Sequence, residues 1–145
     1  MQKEVYVLSN DRSVQAVERF LERYLPCRHE LAAEYQVPQF SDDPQHVFRA
    51  AGDLLAYLER NETEFHGVYW QSVNSLSPVD QAMAFYTSDG CVVCGLVVSE
   101  QMAEAYLNEL KLHFDSKFGL IDEENPPPDT GVEFVRRVEN RGSVS

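Results

Sequence analysis

The sequence is short of basic residues, and the shortage is concentrated in its middle third. Twelve Lys and Arg residues stand against 24 Asp and Glu residues, which gives a formal net charge of −12. Between Arg60 and Lys111 there are seven acidic residues and no Lys or Arg. A field of this sign repels phosphate backbones and anionic lipid surfaces, so the composition disfavours nucleic acids and membranes as partners. The same field attracts a basic protein.

Cysteines and long apolar runs are also scarce. Three Cys residues are an odd and low number, which argues against a disulfide-stapled secreted domain. The N-terminus lacks the apolar core of a signal peptide, and no apolar run approaches the ~20 residues of a membrane-spanning helix. We therefore expect a cytoplasmic protein.

Metal-binding and cofactor motifs are not recognisable. Cys91 and Cys94 have the spacing of redox and zinc motifs, but residues three apart in a strand point to opposite faces. A zinc site would need two more ligands, and Cys27 with His29 is the only other spaced pair. We expect buried structural cysteines, with no metal and no cofactor.

Catalytic signatures are missing as well. The sequence has no phosphate-binding glycine loop, nucleophile elbow or metal-carboxylate motif. Cys27 and His29 could act as nucleophile and base in a hydrolase, but a base also needs a third group that orients it. The sequence therefore predicts a protein without enzymatic activity, and keeps the Cys27–His29 hydrolase as a third hypothesis.

What the sequence does contain is a β-rich centre over 65–99. A strand is predicted at 65–73, and a hairpin follows with arms at 81–87 and 91–98. Asp89 and Gly90 join the arms, and Asp-Gly between two such arms is a strong hairpin signal. The second arm is almost uninterruptedly apolar, which predicts a strand covered on both faces.

The remaining elements follow from apolar spacing, capping residues and prolines. Strands are predicted at 3–9, 30–37 and 118–121, and helices at 12–25, 43–61 and 100–116. Asp43 and Pro44 would start the second helix, and Thr130 with Glu133 would cap a short C-terminal helix. The pattern predicts an α+β domain over 1–140 and a flexible tail over 141–145. Its largely antiparallel sheet would have a central hairpin at 81–98, with three main helices mainly on one face.

Tyr69 and Trp70 are the strongest candidates for binding a partner. Neighbours in a strand face opposite ways, so one ring should lie in the core and the other outward, or both under helices or loops. An outward ring surrounded by Glu62, Glu64 and Asp80 would be a hot spot for a basic protein. The predicted partner-binding residues are Glu62, Glu64, Tyr69, Trp70, Asp80, Asp122, Glu123 and Glu124.

Part of the C-terminal half resembles a known class of proteins. The resemblance is carried by Val68 to Ser72, Ala82 to Gly90, Gly95 with Leu96, and Pro126 to Pro128 before a short helix. These runs are similar to small acidic bacterial immunity proteins encoded beside polymorphic or contact-dependent toxins. The resemblance implies a cytosolic, non-enzymatic binder that neutralises a toxin domain, often a basic nuclease, by covering its active site.

Two functional hypotheses therefore stand beside each other. The first is an immunity or inhibitor protein whose acidic middle third forms one continuous face for a basic toxin domain. The alternative is a small-ligand sensor or accessory domain with a pocket between the sheet and the helices.

Overall fold

The computed structural model describes residues 1–122 and 125–142. Its strands are, in chain order, β1 (Gln2–Ser9), β2 (Arg28–Glu30), β3 (Tyr35–Val37), β4 (His46–Phe48), β5 (His66–Ser72), β6 (Val79–Tyr86), β7 (Val92–Ser99) and β8 (Gly119–Asp122). Its helices are α1 (Val14–Tyr24), α2 (Ala51–Arg60), α3 (Ala103–Phe114) and α4 (Gly131–Gly142), with a 3-10 turn at Glu100–Met102 before α3.

Six strands form one sheet, in the order β2-β5-β6-β7-β1-β8, and β3 with β4 forms a separate ribbon. Every pairing between the described strands is antiparallel. The prediction of an α+β fold with a largely antiparallel sheet is confirmed. Strands β6 and β7 pair as a hairpin, and its turn contains Gly90 with a φ of 90°, a conformation that favours glycine.

Helices α1, α2 and α3 pack on one side of the sheet, which we call the helix face. Their buried side chains, such as Phe20, Leu54 and Leu110, share one hydrophobic core with Trp70 and Leu96 of the sheet. Each helix presents an apolar stripe with 3.6-residue spacing, so burial of these stripes stabilises this layer.

Helix α4 packs on the opposite side of the sheet, which we call the second face. Phe134 is fully buried there, in a cluster with Tyr6, Met83, Phe85 and Val93. Strand β7 is therefore covered on both sides, as its apolar sequence predicted.

Two cysteines confirm the alternation of side chains along the hairpin. Cys94 lies in the helix-face core, whereas Cys91 packs against the cluster on the second face. Burial raises the pKa of both thiols, so neither is an activated nucleophile.

The predicted strand at 30–37 was wrong. Strand β2 ends at Glu30, and β3 begins at Tyr35 in a different sheet. The two pieces remain linked, because the Tyr35 hydroxyl donates a hydrogen bond of 2.8 Å to the Glu30 carboxylate. We call residues 31–48, which contain the ribbon, the ribbon lobe.

The predicted helix start at Asp43 and Pro44 was also wrong. Residues His46–Phe48 form β4, and α2 begins only at Ala51. The physical reason is a distant cap: the backbone N–H of Ala51 donates a hydrogen bond of 2.8 Å to the carboxylate of Glu30. The helix therefore takes an acceptor for its first turn from strand β2 and not from the residues that precede it.

The C-terminal helix is longer than predicted. It continues through Gly142, and the Arg141 guanidinium donates hydrogen bonds to the backbone oxygen of Ile121 and to the carboxylate of Asp122. The last part of the predicted tail, 143–145, lies outside the described residues. No helix in the described part of the chain is long and apolar enough to cross a membrane.

Candidate docking surface

Tyr69 and Trp70 lie on opposite faces of the sheet. The Trp70 side chain is 3% exposed and belongs to the helix-face core, so it is not accessible to a partner. The Tyr69 side chain is 37% exposed on the second face and packs edge-on against Phe85, with ring centroids 5.4 Å apart. Of the two predicted aromatic residues, only Tyr69 is available for binding.

The strand register arranges the second face in cross-strand rows. One row contains Tyr69, Met83, Gly95, Tyr6 and Leu120. The next row contains Gln71, Gln81, Val97, Glu4 and Asp122. The rows fix which residues share the surface around Tyr69, because side chains alternate along each strand.

Helix α4 covers only part of these rows. Tyr6 and Met83 are buried in the α4 cluster, whereas Glu4 and Val97 remain half-buried. Burial, followed by the negative charge of Glu4, raises the pKa of Tyr69. Tyr69 therefore stands at the margin of an uncovered, partly polar sheet surface, and the Glu4 carboxylate on this surface accepts a hydrogen bond of 2.5 Å from the Tyr6 hydroxyl.

Glu62, Glu64 and Asp80 do not surround Tyr69 as predicted. Glu62 and Glu64 precede the first residue of β5, whereas Asp80 lies beside its last residues and accepts a hydrogen bond of 2.9 Å from Gln71. A seven-residue strand is about 23 Å long, so these acids stand at opposite ends of the strand. The sequence prediction was wrong because adjacency along the chain does not give adjacency on the sheet.

Asp122 is also unavailable as an exposed contact. Its side chain is buried, and its carboxylate lies 3.2 Å from the Arg141 guanidinium and 4.0 Å from that of Arg137. Asp122 therefore attaches α4 to β8. Glu123 and Glu124 lie outside the described residues.

The seven acidic residues of the middle third do not form one continuous face. Asp89 lies at the hairpin turn, on the same end of the sheet as Glu62 and Glu64, while Asp80 and Glu100 lie at the other end. The remaining two, Glu104 and Glu109, are exposed on α3. The negative charge of this part of the sequence is thus distributed around the molecule.

The ribbon lobe brings a second exposed aromatic residue near Tyr69. Phe40 is 85% exposed and Leu31 is 48% exposed. Together with Tyr69 they line a groove of about 460 Å³, whose only acidic lining residue among those described is Glu34. The lobe contains three acidic residues and no Lys or Arg. We call the surface formed by Leu31, Glu34, Phe40 and Tyr69 the Tyr69 surface.

Hydrogen bonds fix the ribbon lobe against β5. The Gln39 side chain accepts from the Gly67 N–H at 2.8 Å and donates to the Gly67 carbonyl at 3.2 Å. The His66 ring is buried, with Nδ1 3.0 Å from the Gly67 oxygen and Nε2 3.1 Å from the Gln36 oxygen. Burial lowers the pKa of His66, although its two carbonyl neighbours act in the opposite direction.

The backbone of Phe40 is strained. Its φ of 65° lies in the left-handed region, which is a genuine outlier for a bulky residue. The strain occurs in a tight turn, in which the Ser41 N–H donates to the Pro38 carbonyl at 3.2 Å. The turn thus holds an aromatic ring in solvent, although both the backbone strain and the exposure of apolar surface are unfavourable.

Sequence reasoning missed Phe40, Leu31 and Glu34. One signal was present, since Phe40 is a single aromatic residue in a polar loop between Pro38 and Pro44. The sequence predicted a loop over 38–42, between a strand that ends at 37 and a helix that starts at 43, and this loop received no functional weight.

A larger groove lies near the opposite edge of the sheet from Tyr69, beside the end of β1. It has a volume of about 1160 Å³ between the C-terminal end of α3 and helix α4. Leu112 and Val132 are exposed on its walls, and Lys111 and Lys117 also line it. Asp89 lies there too, but it is engaged in capping α4, since the N–H groups of Gly131 and Val132 donate to its carboxylate. The groove is roomy enough for a small molecule.

Within the described residues, no three His, Cys, Asp or Glu side chains are grouped so that they could hold a metal ion. Comparison of the chain with protein-family models, with curated proteins and with solved structures gives no significant match.

Proposed function

We propose that the chain is a non-enzymatic protein-binding module, an immunity or inhibitor protein that neutralises a basic toxin domain. The observation that carries the proposal is the Tyr69 surface, where a half-exposed tyrosine, an exposed phenylalanine and a glutamate line one groove. Exposed apolar residues grouped in this way favour a protein interface over ordinary surface.

The chemistry of the surface favours a basic partner. Neither Lys nor Arg lines the groove among the described residues, and the ribbon lobe carries Glu34, Asp42 and Asp43 at exposed positions. Negative charge around an aromatic centre accelerates encounter with a cationic surface and fixes its orientation. The ribbon lobe and Tyr69, and not a continuous acidic face of the middle third, would therefore contact the basic partner.

Co-expression with a toxin tests this function. The C-terminal domain of a secreted protein encoded beside the chain's gene is expressed with and without the chain, and growth is measured. We expect the chain to restore growth and to bind the purified domain with an on-rate that falls steeply as ionic strength rises.

A matched pair of variants locates the interface. Tyr69→Ala should weaken binding about 10-fold or more, because central aromatic residues dominate protein interfaces. Leu112→Ala removes an exposed leucine from α3 and should leave affinity unchanged. If no toxic domain is encoded there, if on-rates do not respond to salt, or if both variants bind like the wild type, the proposal is wrong.

The larger groove supports a second candidate function, a sensor or accessory domain that binds a small molecule. Its volume of about 1160 Å³ and its exposed apolar walls are the observations in favour. Titration with the dye 1-anilinonaphthalene-8-sulfonate, an aromatic sulfonate that fluoresces in apolar sites, tests it. If the groove binds ligands, Val132→Glu should abolish dye fluorescence while Tyr69→Ala retains it. Equal fluorescence in both variants would contradict this candidate.

A further inference from the structure

We propose that the groove of the Tyr69 surface is a binding site for one arginine side chain of a basic protein partner. This inference rests on the proposed function and adds the identity of the group that is recognised. The groove is lined by Phe40, Tyr69, Leu31 and Glu34. It therefore combines two exposed aromatic rings, an aliphatic wall and one carboxylate, whereas the rings of Tyr35 and His66 that also line it are buried.

This combination matches a guanidinium better than any other common side chain. Its planar, weakly hydrated cation stacks on aromatic faces and pairs with carboxylates, whereas a lysine ammonium is more strongly hydrated. The three methylene groups of arginine would contact Leu31, which is 48% exposed in the unbound chain. An acidic side chain is disfavoured, because Glu34 lies in the groove and no described Lys or Arg residue lines it.

The groove is pre-formed in the unbound chain. Gln39 makes two hydrogen bonds with the backbone of Gly67, so the residue that precedes Phe40 is attached to the strand that carries Tyr69. Tyr69 is in turn held by its edge-on contact with Phe85. Both aromatic walls are thus anchored to β5 and β6, which lowers the entropy that binding would otherwise lose.

The backbone conformation and the exposure of Phe40 independently support a role in binding. A phenylalanine with a φ of 65° that is 85% exposed contributes little to the core. Glycine or asparagine would suit this backbone better, since both tolerate the left-handed region. The ring at this position therefore has no stabilising role to explain it, and an aromatic wall for a ligand does explain it.

A peptide titration tests the inference without knowledge of the partner. The probes are acetyl-Gly-Arg-Gly-amide and the same peptide with citrulline, whose urea group has the shape of guanidinium without its charge. Binding to the ¹⁵N-labelled chain is followed by NMR. We expect millimolar affinity for the arginine peptide and chemical-shift changes at the amides of Phe40, Gly67 and Tyr69. The citrulline peptide should bind at least about 5-fold more weakly than the arginine peptide.

Variants then assign the affinity to the groove. Phe40→Asn, which suits the left-handed backbone, and Glu34→Gln should each weaken arginine binding about 2- to 5-fold. Phe40→Tyr keeps an aromatic ring at this position and should retain the affinity for arginine. Glu104→Gln on α3 is the control that should bind like the wild type. An unchanged or higher melting temperature of Phe40→Asn would show that the loss comes from the missing ring and not from unfolding.

The two proposals fail in different ways. Equal binding of the arginine and citrulline peptides, or shifts that map to the α3–α4 groove, would overturn the arginine site while leaving the toxin assay valid. Arginine-specific binding in the groove together with no protection by the chain would retain the arginine site and reject the immunity function.

Discussion

At the scale of single residues, Arg12 connects parts of the chain that are far apart in sequence. Its side chain is 4% exposed, and its guanidinium lies 5.0 Å from the ring centroid of Tyr86. Its five N–H groups donate to six backbone oxygens, one N–H being shared between two of them; the oxygens are those of Leu58, Asn61, Glu62, Glu64, Thr87 and Cys91. The start of α1 is thereby attached to the end of α2 and to the hairpin turn.

Replacement of Arg12 should strongly destabilise the fold. Arg12→Met leaves several carbonyl groups without a donor, so the free energy of unfolding should fall by about 3–5 kcal/mol in urea denaturation. Arg12→Lys should be intermediate, because one ammonium reaches fewer oxygens. Arg49→Met is the exposed control. Equal stability of Arg12→Met and Arg49→Met would contradict the role of Arg12.

Gly95 is required by close packing on the second face. A Cβ atom at this position would lie 2.5 Å from Cδ1 of the buried Tyr6 ring and 3.2 Å from Cε of Met83. Gly95→Ala should therefore lower the free energy of unfolding by about 1–3 kcal/mol. Gly52→Ala in α2 meets no atom within 4 Å and should instead stabilise by about 0.5–1 kcal/mol. If Gly95→Ala also stabilises, the Tyr6 ring does not occupy this position in solution.

At the scale of secondary structure elements, Asp89 joins the hairpin turn to α4. Burial tends to raise the pKa of Asp89, but hydrogen bonds from Gly131, Thr87 and Val132 lower it below the ordinary value of 3.8. The ionised carboxylate is therefore stabilised by folding. Its contribution is present above pH 3.8 and is lost as the pH falls through the lower pKa of the folded state.

Removal of the Asp89 carboxylate should change both the stability of the fold and the pH dependence of that stability. Asp89→Ala should lower the free energy of unfolding by about 1 kcal/mol at pH 7, as expected for loss of a helix cap. Asp89→Asn keeps the turn preference and one acceptor, so it should cost less. Urea denaturation between pH 7 and pH 2.5 should show the wild type losing its advantage over both variants at the acidic end. An advantage that does not shrink as the pH falls below 3.8 would argue against an ionised cap.

The β6–β7 pair and the ribbon lobe differ in how far local sequence predicts them. Strands β6 and β7 pair where Asp89 and Gly90 join two β-rich arms, and the residues that indicate this pairing lie within about twenty positions of one another. The ribbon lobe was not predicted, because the cap of α2 comes from Glu30, 21 residues before Ala51. Local propensity depends on neighbouring residues, so it cannot predict a hydrogen-bond acceptor that only the tertiary structure brings close.

At the scale of the whole molecule, the net charge of −12 should oppose folding through self-repulsion. Salt shortens the screening length from ~30 Å at 0.01 M to ~10 Å at 0.1 M, so the melting temperature should rise over this range. Each kcal/mol gained corresponds to about 2–4 °C in a protein of this size. A calorimetric or fluorescence melt measures this change.

A variant of the ribbon lobe is the control for this prediction. Glu34→Gln, Asp42→Asn and Asp43→Asn together remove three negative charges from exposed positions. The combined variant should show a smaller rise in melting temperature with salt than the wild type. A melting temperature that falls with salt would mean that attractive ion pairs, such as those of Arg28 with Glu18 and Glu22, outweigh repulsion.

The sequence by itself determined the fold class, the covered strand β7 and the opposite orientation of Tyr69 and Trp70. These features depend on side-chain alternation, apolar spacing and turn residues, which act over short stretches of chain. Only the tertiary structure decided that Trp70 faces the helices, that the seven acids of the middle third are dispersed, and that Phe40 joins Tyr69 in one groove. The physical reason is that strand order and the docking of the ribbon lobe bring together residues 29 positions apart, and no local pattern records which side of a strand the helices will cover.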